Sequence, residues 1–230
     1  MECQQLREQV YEANMELKRQ GLVLHTWGNA SGIDRERGLI AIKPSGVAYA
    51  DLTPASMVLV DLDNQVVDGT LKPSSDTRTH TLLYREFASI GGVVHTHSTY
   101  ATAWSQARRE LPCYGTTHAD YAHGAVPCTA VLTPEACARD YEEETGVQIR
   151  DAFAGLDPVA MPMVLVGGHA PFTWGKDVHA AVYHAGVLEE VARMATITEQ
   201  VNAQAVPLPA HIVDKHYMRK HGPAASYGQG

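Results

Sequence analysis

Two histidines one residue apart, His95 and His97, follow the β-branched pair Val93-Val94 and the glycines Gly91-Gly92. A short buried strand accounts for the run Gly91-Gly92-Val93-Val94. Side chains alternate faces along a strand, so His95 and His97 point the same way and Thr96 points away. Two imidazoles on one edge begin a divalent metal site, with zinc the commonest occupant, although paired histidines also occur simply as core or surface residues.

A second run has the same form: Val164-Leu165-Val166, two glycines, then His169. If the two strand ends adjoin, His169 supplies a third imidazole. Asp76, at the start of a helix, can add a carboxylate oxygen. Three histidines and a carboxylate hold zinc or a similar ion with a position open to substrate. Taken alone, Asp76 reads as a carboxylate stabilising a helix N-terminus.

Two further stretches suit a phosphate. The helix start at Ser74-Ser75 offers exposed amides, and Lys43-Pro44-Ser45-Gly46 offers a cation, a hydroxyl and a flexible amide after a strand end. Each in isolation is also an ordinary cap or turn. Asp120, in Thr116-Thr117-His118-Ala119-Asp120, and Tyr227, in the C-terminal tail, are groups that can move protons near a metal.

The elements that must position these groups follow from periodicity. Residues 3–20 carry Leu6, Val10, Ala13 and Leu17 on one helical face, with Gly21 as the C-cap. Strands are expected at 39–42 and 57–62, the second turning through Asp63-Asn64 to a partner at Val66-Val67. A helix is expected from about 76 to 87, with small hydroxyl residues capping its start. Further helices are expected over 99–107, 134–145 and 176–205, and a short basic one over 215–220. Residues 26–32 and 115–123 read as loops, and 163–166 as a buried strand. With no repeat, linker or low-complexity block, residues 1–230 form one domain of an α/β class.

Composition narrows the partners. The chain has 230 residues, 45% hydrophobic and 19% charged, with 26 acidic against 18 basic side chains for a net charge of −8. That balance disfavours nucleic acid. No apolar run approaches the ~20 residues of a membrane span. Four cysteines without C-x-x-C spacing, and no signal-peptide pattern, point to free thiols in the cytoplasm.

Taken together the motifs resemble the class II aldolase-like enzymes, in particular the epimerase branch. The resemblance runs nearly end to end. It is carried by Thr26-Trp27-Gly28-Asn29, Ile42-Lys43-Pro44-Ser45-Gly46-Val47, Lys72-Pro73-Ser74-Ser75-Asp76-Thr77, Val94-His95-Thr96-His97-Ser98, Gly115-Thr116-Thr117-His118-Ala119-Asp120-Tyr121, and the end of the chain from Lys215 through Tyr227-Gly228-Gln229. It implies a single-domain α/β/α sandwich with a largely antiparallel central sheet, whose C-terminal tail contributes to the active site. It further implies a homotetramer with active sites between neighbouring subunits.

It also implies roles. Asp76, His95, His97 and His169 fall on the metal ligands, usually for zinc, with manganese or cobalt as substitutes. Asn29, Lys43, Ser45, Gly46, Ser74 and Ser75 fall on the phosphosugar-binding positions, and Thr116, Glu142 and His216 on supporting ones. Asp120 of one subunit and Tyr227 of its neighbour match the proton-transfer pair. One departure is Gly167, where many relatives have a further histidine. The Gly167-Gly168 pair is expected to loosen the approach to the metal.

The implied activity is interconversion of L-ribulose 5-phosphate and D-xylulose 5-phosphate in pentose catabolism. The C–H at C4 is not acidic, so inversion there proceeds by opening and re-forming the C3–C4 bond. A base takes the C4 hydroxyl proton, and an enediolate of dihydroxyacetone forms beside glycolaldehyde phosphate. The aldehyde turns its other face, and the bond closes again. An aldolase acting on a substrate such as L-fuculose 1-phosphate is the alternative within the family, disfavoured because such aldolases carry glutamate at the position of Asp76. A non-catalytic protein with a structural metal is the alternative outside it.

Overall fold

The computed structural model describes residues 3–223 and 225. Tyr227 lies outside the described residues. The chain opens with α1 (Gln4–Arg19), ended by Gly21 in the left-handed region at φ 70°. Then come β1 (Asn29–Asp34), β2 (Leu39–Ile42), β3 (Val58–Asp61) and β4 (Val66–Asp68). Next are α2 (Thr77–Glu86), β5 (Gly92–His95), α3 (Thr99–Ala107) and the single turn α4 (Thr116–Ala119). The chain continues with α5 (Pro134–Ala152), β6 (Met163–Leu165) and β7 (Pro171–Gly175), and closes with α6 (Val178–Val201) and α7 (Ala210–His221).

The seven strands form one sheet in the order β4-β3-β2-β1-β5-β7-β6, antiparallel at every pairing. Strand alternation divides the side chains between two layers. Ala30, Ala41, Leu59 and Val94 pack under Val10, Ala13 and Leu17 of α1 and the first turns of α6. Ile40, Val58, Val60 and Val93 pack on the other face with Leu83 and Tyr84 of α2 and Ile149 of α5. The expected α/β/α sandwich is what the chain forms. No helix among the described residues is long and apolar enough to cross a membrane.

Several elements differ from expectation. Residues 29–32, within the stretch 26–32 read as a loop, belong to β1, a strand at the middle of the sheet paired with both β2 and β5. Part of the 115–123 loop closes into α4. β7, where no strand is expected from the sequence, separates β5 from β6, so these two strands are not neighbours in the sheet. α5 runs past residue 145 to Ala152 and breaks at Asp140 (φ −166°, ψ 105°). The Asp140 carboxylate accepts from Glu143 N at 3.0 Å and pairs with Arg78, which caps the second segment of α5 and ties it to the start of α2.

Candidate active site

β7 explains how three histidines from distant sequence positions meet. It pairs with β5 in a register that sets Phe172 opposite His95, and the two rings stack at 4.2 Å. β6 turns into β7 through residues 166–170, where His169 N donates to Val166 O at 3.0 Å. His169 thus reaches His95 across the intervening strand, with ring centroids 4.8 Å apart. His97 lies two residues beyond His95 on the same side, as strand parity requires, and the two Nε2 atoms are 3.1 Å apart. One nitrogen from each of the three rings falls within 4.8 Å of the others.

The protonation states suit a metal. Pro171 O can only accept, so at 3.0 Å it takes the Nδ1 proton of His95 and leaves the Nε2 lone pair directed at the cluster. Burial, reinforced by the neighbouring imidazoles, pulls His97 and His169 down to about 4, so both are neutral at physiological pH. His169 Nδ1 is buried and has no hydrogen-bond partner among the described residues. Tetrahedral zinc with nitrogens at ~2.0–2.1 Å spans about 3.3 Å between donors, close to the 3.1 Å found between His95 and His97. The donor set fits a borderline-soft divalent ion.

Asp76 faces the same cavity but is not one of the three clustered donors. It occupies the N-cap position of α2 without making a side-chain cap, so its carboxylate is not spent on the helix. Instead Oδ2 accepts from Asn29 Nδ2 at 2.6 Å. Burial works to raise its pKa, but His95, His80 and the Asn29 amide together hold it below the ordinary carboxylate value. It is an ionised carboxylate beside the imidazole cluster.

The cavity measures about 650 Å³ and is lined by the triad, Asp76 and the expected Asn29, Lys43, Ser45, Gly46, Ser74, Ser75 and Glu142. The two stretches expected to hold phosphate are joined. Ser45 N donates to Lys72 O at 2.9 Å and Ser74 N to Lys43 O at 3.0 Å, about the Pro44–Pro73 bridge. Those two amides are therefore engaged, and Ser74 Oγ is occupied by Asn29 Nδ2 at 3.0 Å and Asp76 N at 3.3 Å. Ser74 orders Asn29 and Asp76; it does not present an exposed amide at the start of α2. Free to meet an anion are the exposed Ser45 and Ser75 and the Lys43 ammonium.

Lys43 is itself buried. Its Nζ donates to Thr26 O and Pro44 O at 3.3 Å and lies 5.0 Å from the Tyr49 ring, with no carboxylate within 4 Å among the described residues. Burial lowers its pKa against the opposing pull of Asp76. A cation bonded only to neutral groups and facing a cavity is well suited to an anionic ligand.

Gly167 corrects a further expectation. A Cβ there would meet Thr129 O at 2.3 Å, and Gly167 N donates to Thr129 Oγ1 at 3.0 Å. The segment before His169 is tightly packed, not loosened. Sequence reasoning also passes over Trp27 and Tyr141 in the cavity wall, and His80 one turn along α2 from Asp76. His80 is fully buried and held neutral, near 3, by desolvation. Its Nδ1 meets Ser31 Oγ at 2.7 Å, and its ring lies edge-on to Phe172 at 5.9 Å, beneath the triad. The available signal was a polar His80 set one turn from Tyr84 on the face that α2 buries.

Thr116, Asp120 and His216 line none of this cavity. Asp120 ends α4 and binds α7: Arg219 donates to it at 2.8 and 3.1 Å, His216 Nδ1 at 3.1 Å, and Lys220 lies at 3.6 Å. Burial raises its pKa, but these cations outweigh that and leave the carboxyl below its usual value.

The chain belongs to the class II aldolase and adducin N-terminal domain family, whose model matches residues 8–196. Among curated proteins it is 54% identical over 226 residues, 98% of this chain and 99% of the relative, to the L-ribulose-5-phosphate 4-epimerase UlaF of Salmonella paratyphi B. The same identity and coverage hold for the protein of that name from Salmonella typhi. Its fold is like that of an L-fuculose 1-phosphate aldolase, with a TM-score of 0.82 at 24% identity over 94% of this chain and 95% of the other. It is also like that of the L-fuculose-1-phosphate aldolase from Thermus thermophilus, with a TM-score of 0.70 at 24% identity over 88% and 98%.

Proposed function

We propose that this chain is a metal-dependent epimerase that interconverts L-ribulose 5-phosphate and D-xylulose 5-phosphate by opening and re-forming the C3–C4 bond. The observation that carries the reading is 54% identity spanning 98% of the chain to proteins named for that epimerisation. The cavity agrees with it, since its lining gathers three clustered imidazoles and a buried lysine bonded only to neutral groups.

His95, His97 and His169 would hold a divalent ion, with zinc the best match to three imidazoles, and such an ion would supply Lewis-acid stabilisation of negative charge on substrate oxygens. Asp76, oriented by Asn29 and Ser74, adds a negative charge that favours binding a cation and is the proposed fourth ligand. Lys43 with Ser45, Gly46 and Ser75 holds the phosphate. Glu142 supports the substrate at the cavity wall. One proton-transfer group removes the C4 hydroxyl proton, and the other returns a proton to the new C4 oxygen once the aldehyde has turned and the bond has closed. Asp120 and Tyr227 are proposed for these roles, with Thr116 and His216 beside them.

Asp120 lies apart from the cavity of its own chain, which supports a homotetramer whose active sites are completed by a neighbour. The cytoplasm is the proposed compartment, in keeping with four cysteines that form no disulfide. The test is product analysis after incubating zinc-loaded protein with L-ribulose 5-phosphate. D-xylulose 5-phosphate is expected. Stoichiometric dihydroxyacetone identifies an aldolase instead, and no turnover identifies a structural metal site.

A further inference from the structure

The chain contains three tryptophans. Trp104 and Trp174 are buried, at 5% and 0% exposure, and each indole N–H is bonded. Trp27 is 52% exposed, and its indole N–H has no partner among the described residues. It nevertheless stands on a rigid mount. Tyr49 Oη donates to the carbonyls of Trp27 and Gly28 at 3.1 and 3.0 Å. Gly28 adopts φ 72°, and a Cβ there would come within 2.8 Å of His95 O, so the loop is pressed onto the end of β5. The indole therefore projects from fixed backbone over the cavity, 6.3 Å from the His97 ring.

An indole held out at a cavity mouth leaves apolar surface in water that a bound ligand can cover. Its place in the wall suggests what it covers. The His97 ring lies beside it, and the preceding Thr26 carbonyl accepts from Lys43 Nζ at 3.3 Å, so the indole stands next to both the imidazole cluster and the lysine, where Lys43, Ser45, Asn29 and Asp76 in the same lining offer hydrogen bonds or charge to polar groups. A fragment bonded to such groups is held in one orientation, whereas an aromatic face excludes water without fixing the rotation of a carbonyl.

We infer that Trp27 closes over the carbon chain of the substrate and retains the aldehyde fragment while it turns, so that it sets the ratio of epimerisation to fragment release. The inference rests on the proposed epimerase reaction, and no covalent step involves the indole.

Two measurements test it. Acrylamide quenching of tryptophan fluorescence reads Trp27 directly, because the other two indoles are buried. In metal-loaded protein the quenchable component is expected to shrink at least threefold with saturating L-ribulose 5-phosphate, and to be absent from Trp27→Phe. Equal quenching with and without the sugar phosphate overturns the closure. The second measurement is dihydroxyacetone released per D-xylulose 5-phosphate formed. Trp27→Ala is expected to raise that ratio at least tenfold, and Trp27→Phe by less, with metal content as in the wild type. An unchanged ratio in Trp27→Ala overturns the retention role. Failure of the wild type to epimerise instead removes the reaction proposed above, and the quenching result then still decides whether the indole covers a bound sugar phosphate.

Discussion

Replacing Gly167 by alanine tests whether the turn that carries His169 depends on close packing. The added Cβ would lie 2.3 Å from Thr129 O, against an ordinary contact of about 3.5 Å, so one backbone must retreat by about 1 Å. Thr129 is not free to do so. Its N–H donates to Leu165 O at 2.8 Å, Leu165 N donates to Pro127 O at 2.9 Å, and its hydroxyl accepts from Gly167 N at 3.0 Å. Overpacking of this kind costs roughly 1–3 kcal/mol, and a lost hydrogen bond adds about 1 kcal/mol. The sum of about 2–4 kcal/mol corresponds to a Tm lowered by roughly 5–15 °C for a chain of this size. Because His169 is two residues away, metal affinity should fall about tenfold as well, the effect typical of disturbing the support of a ligand. Thermal melting of metal-free protein and a competitive zinc titration measure the two quantities. A melting temperature within about 2 °C of wild type, with unchanged zinc affinity, would refute the packing argument.

Other expectations follow from the same geometry. His97→Asn should lower zinc content and activity together, measured by elemental analysis and turnover, and full zinc occupancy would remove His97 from the proposed set. Lys43→Met should raise KM for the sugar phosphate by more than Ser75→Ala, since it removes a charge and not only a hydroxyl. Asp120 has a depressed folded pKa, so its hold on α7 is complete above the unfolded aspartate value near 3.9 and is lost as pH falls through the lower folded value. Pepsin cleavage within residues 210–221 should therefore appear only below about pH 4, but already at pH 5 in Asp120→Asn.

What the sequence disclosed divides along physical lines. The relation of His95 to His97 is local, since period-two alternation fixes it, and the two rings do lie together. Long amphipathic helices such as α1 were equally legible because burial on one face imposes a periodicity. The meeting of His169 with His95 and His97 is legible only conditionally, on the two strand ends coming together, which they do. β5 and β6 are not neighbours, and only the pairing of β7 with both brings the ring into reach. Residues 29–34 carried no strand pattern because β1 is central and crowded. Gly32 sits against Val10 of α1, where small residues fit and β-branched ones do not. That Ser74 is engaged while Ser75 is exposed is invisible in the chain alone: the backbone bonds around the Pro44–Pro73 bridge consume amides that a free helix start would present.

The distribution of charge within the chain bears on how the proposed reaction is completed. The cavity has an ionised carboxylate, neutral imidazoles and a lysine, which together can orient and polarise a sugar phosphate. Asp76 is a poor general base there, because Asn29 occupies Oδ2 at 2.6 Å and its proton affinity is reduced. Asp120 is equally committed within its own chain, held by Arg219 and His216 between α4 and α7. That commitment gives it a fixed direction. The His216 imidazole shares that carboxylate at 3.1 Å. α7 and α4 therefore present an oriented Asp120–His216 pair away from the substrate cavity of the same chain. In the proposed epimerase that pair serves the cavity of a neighbouring copy. The ion pairs anchoring α7 would then set the position of a proton-transfer group in another subunit, and weakening them should lower turnover without emptying the metal site.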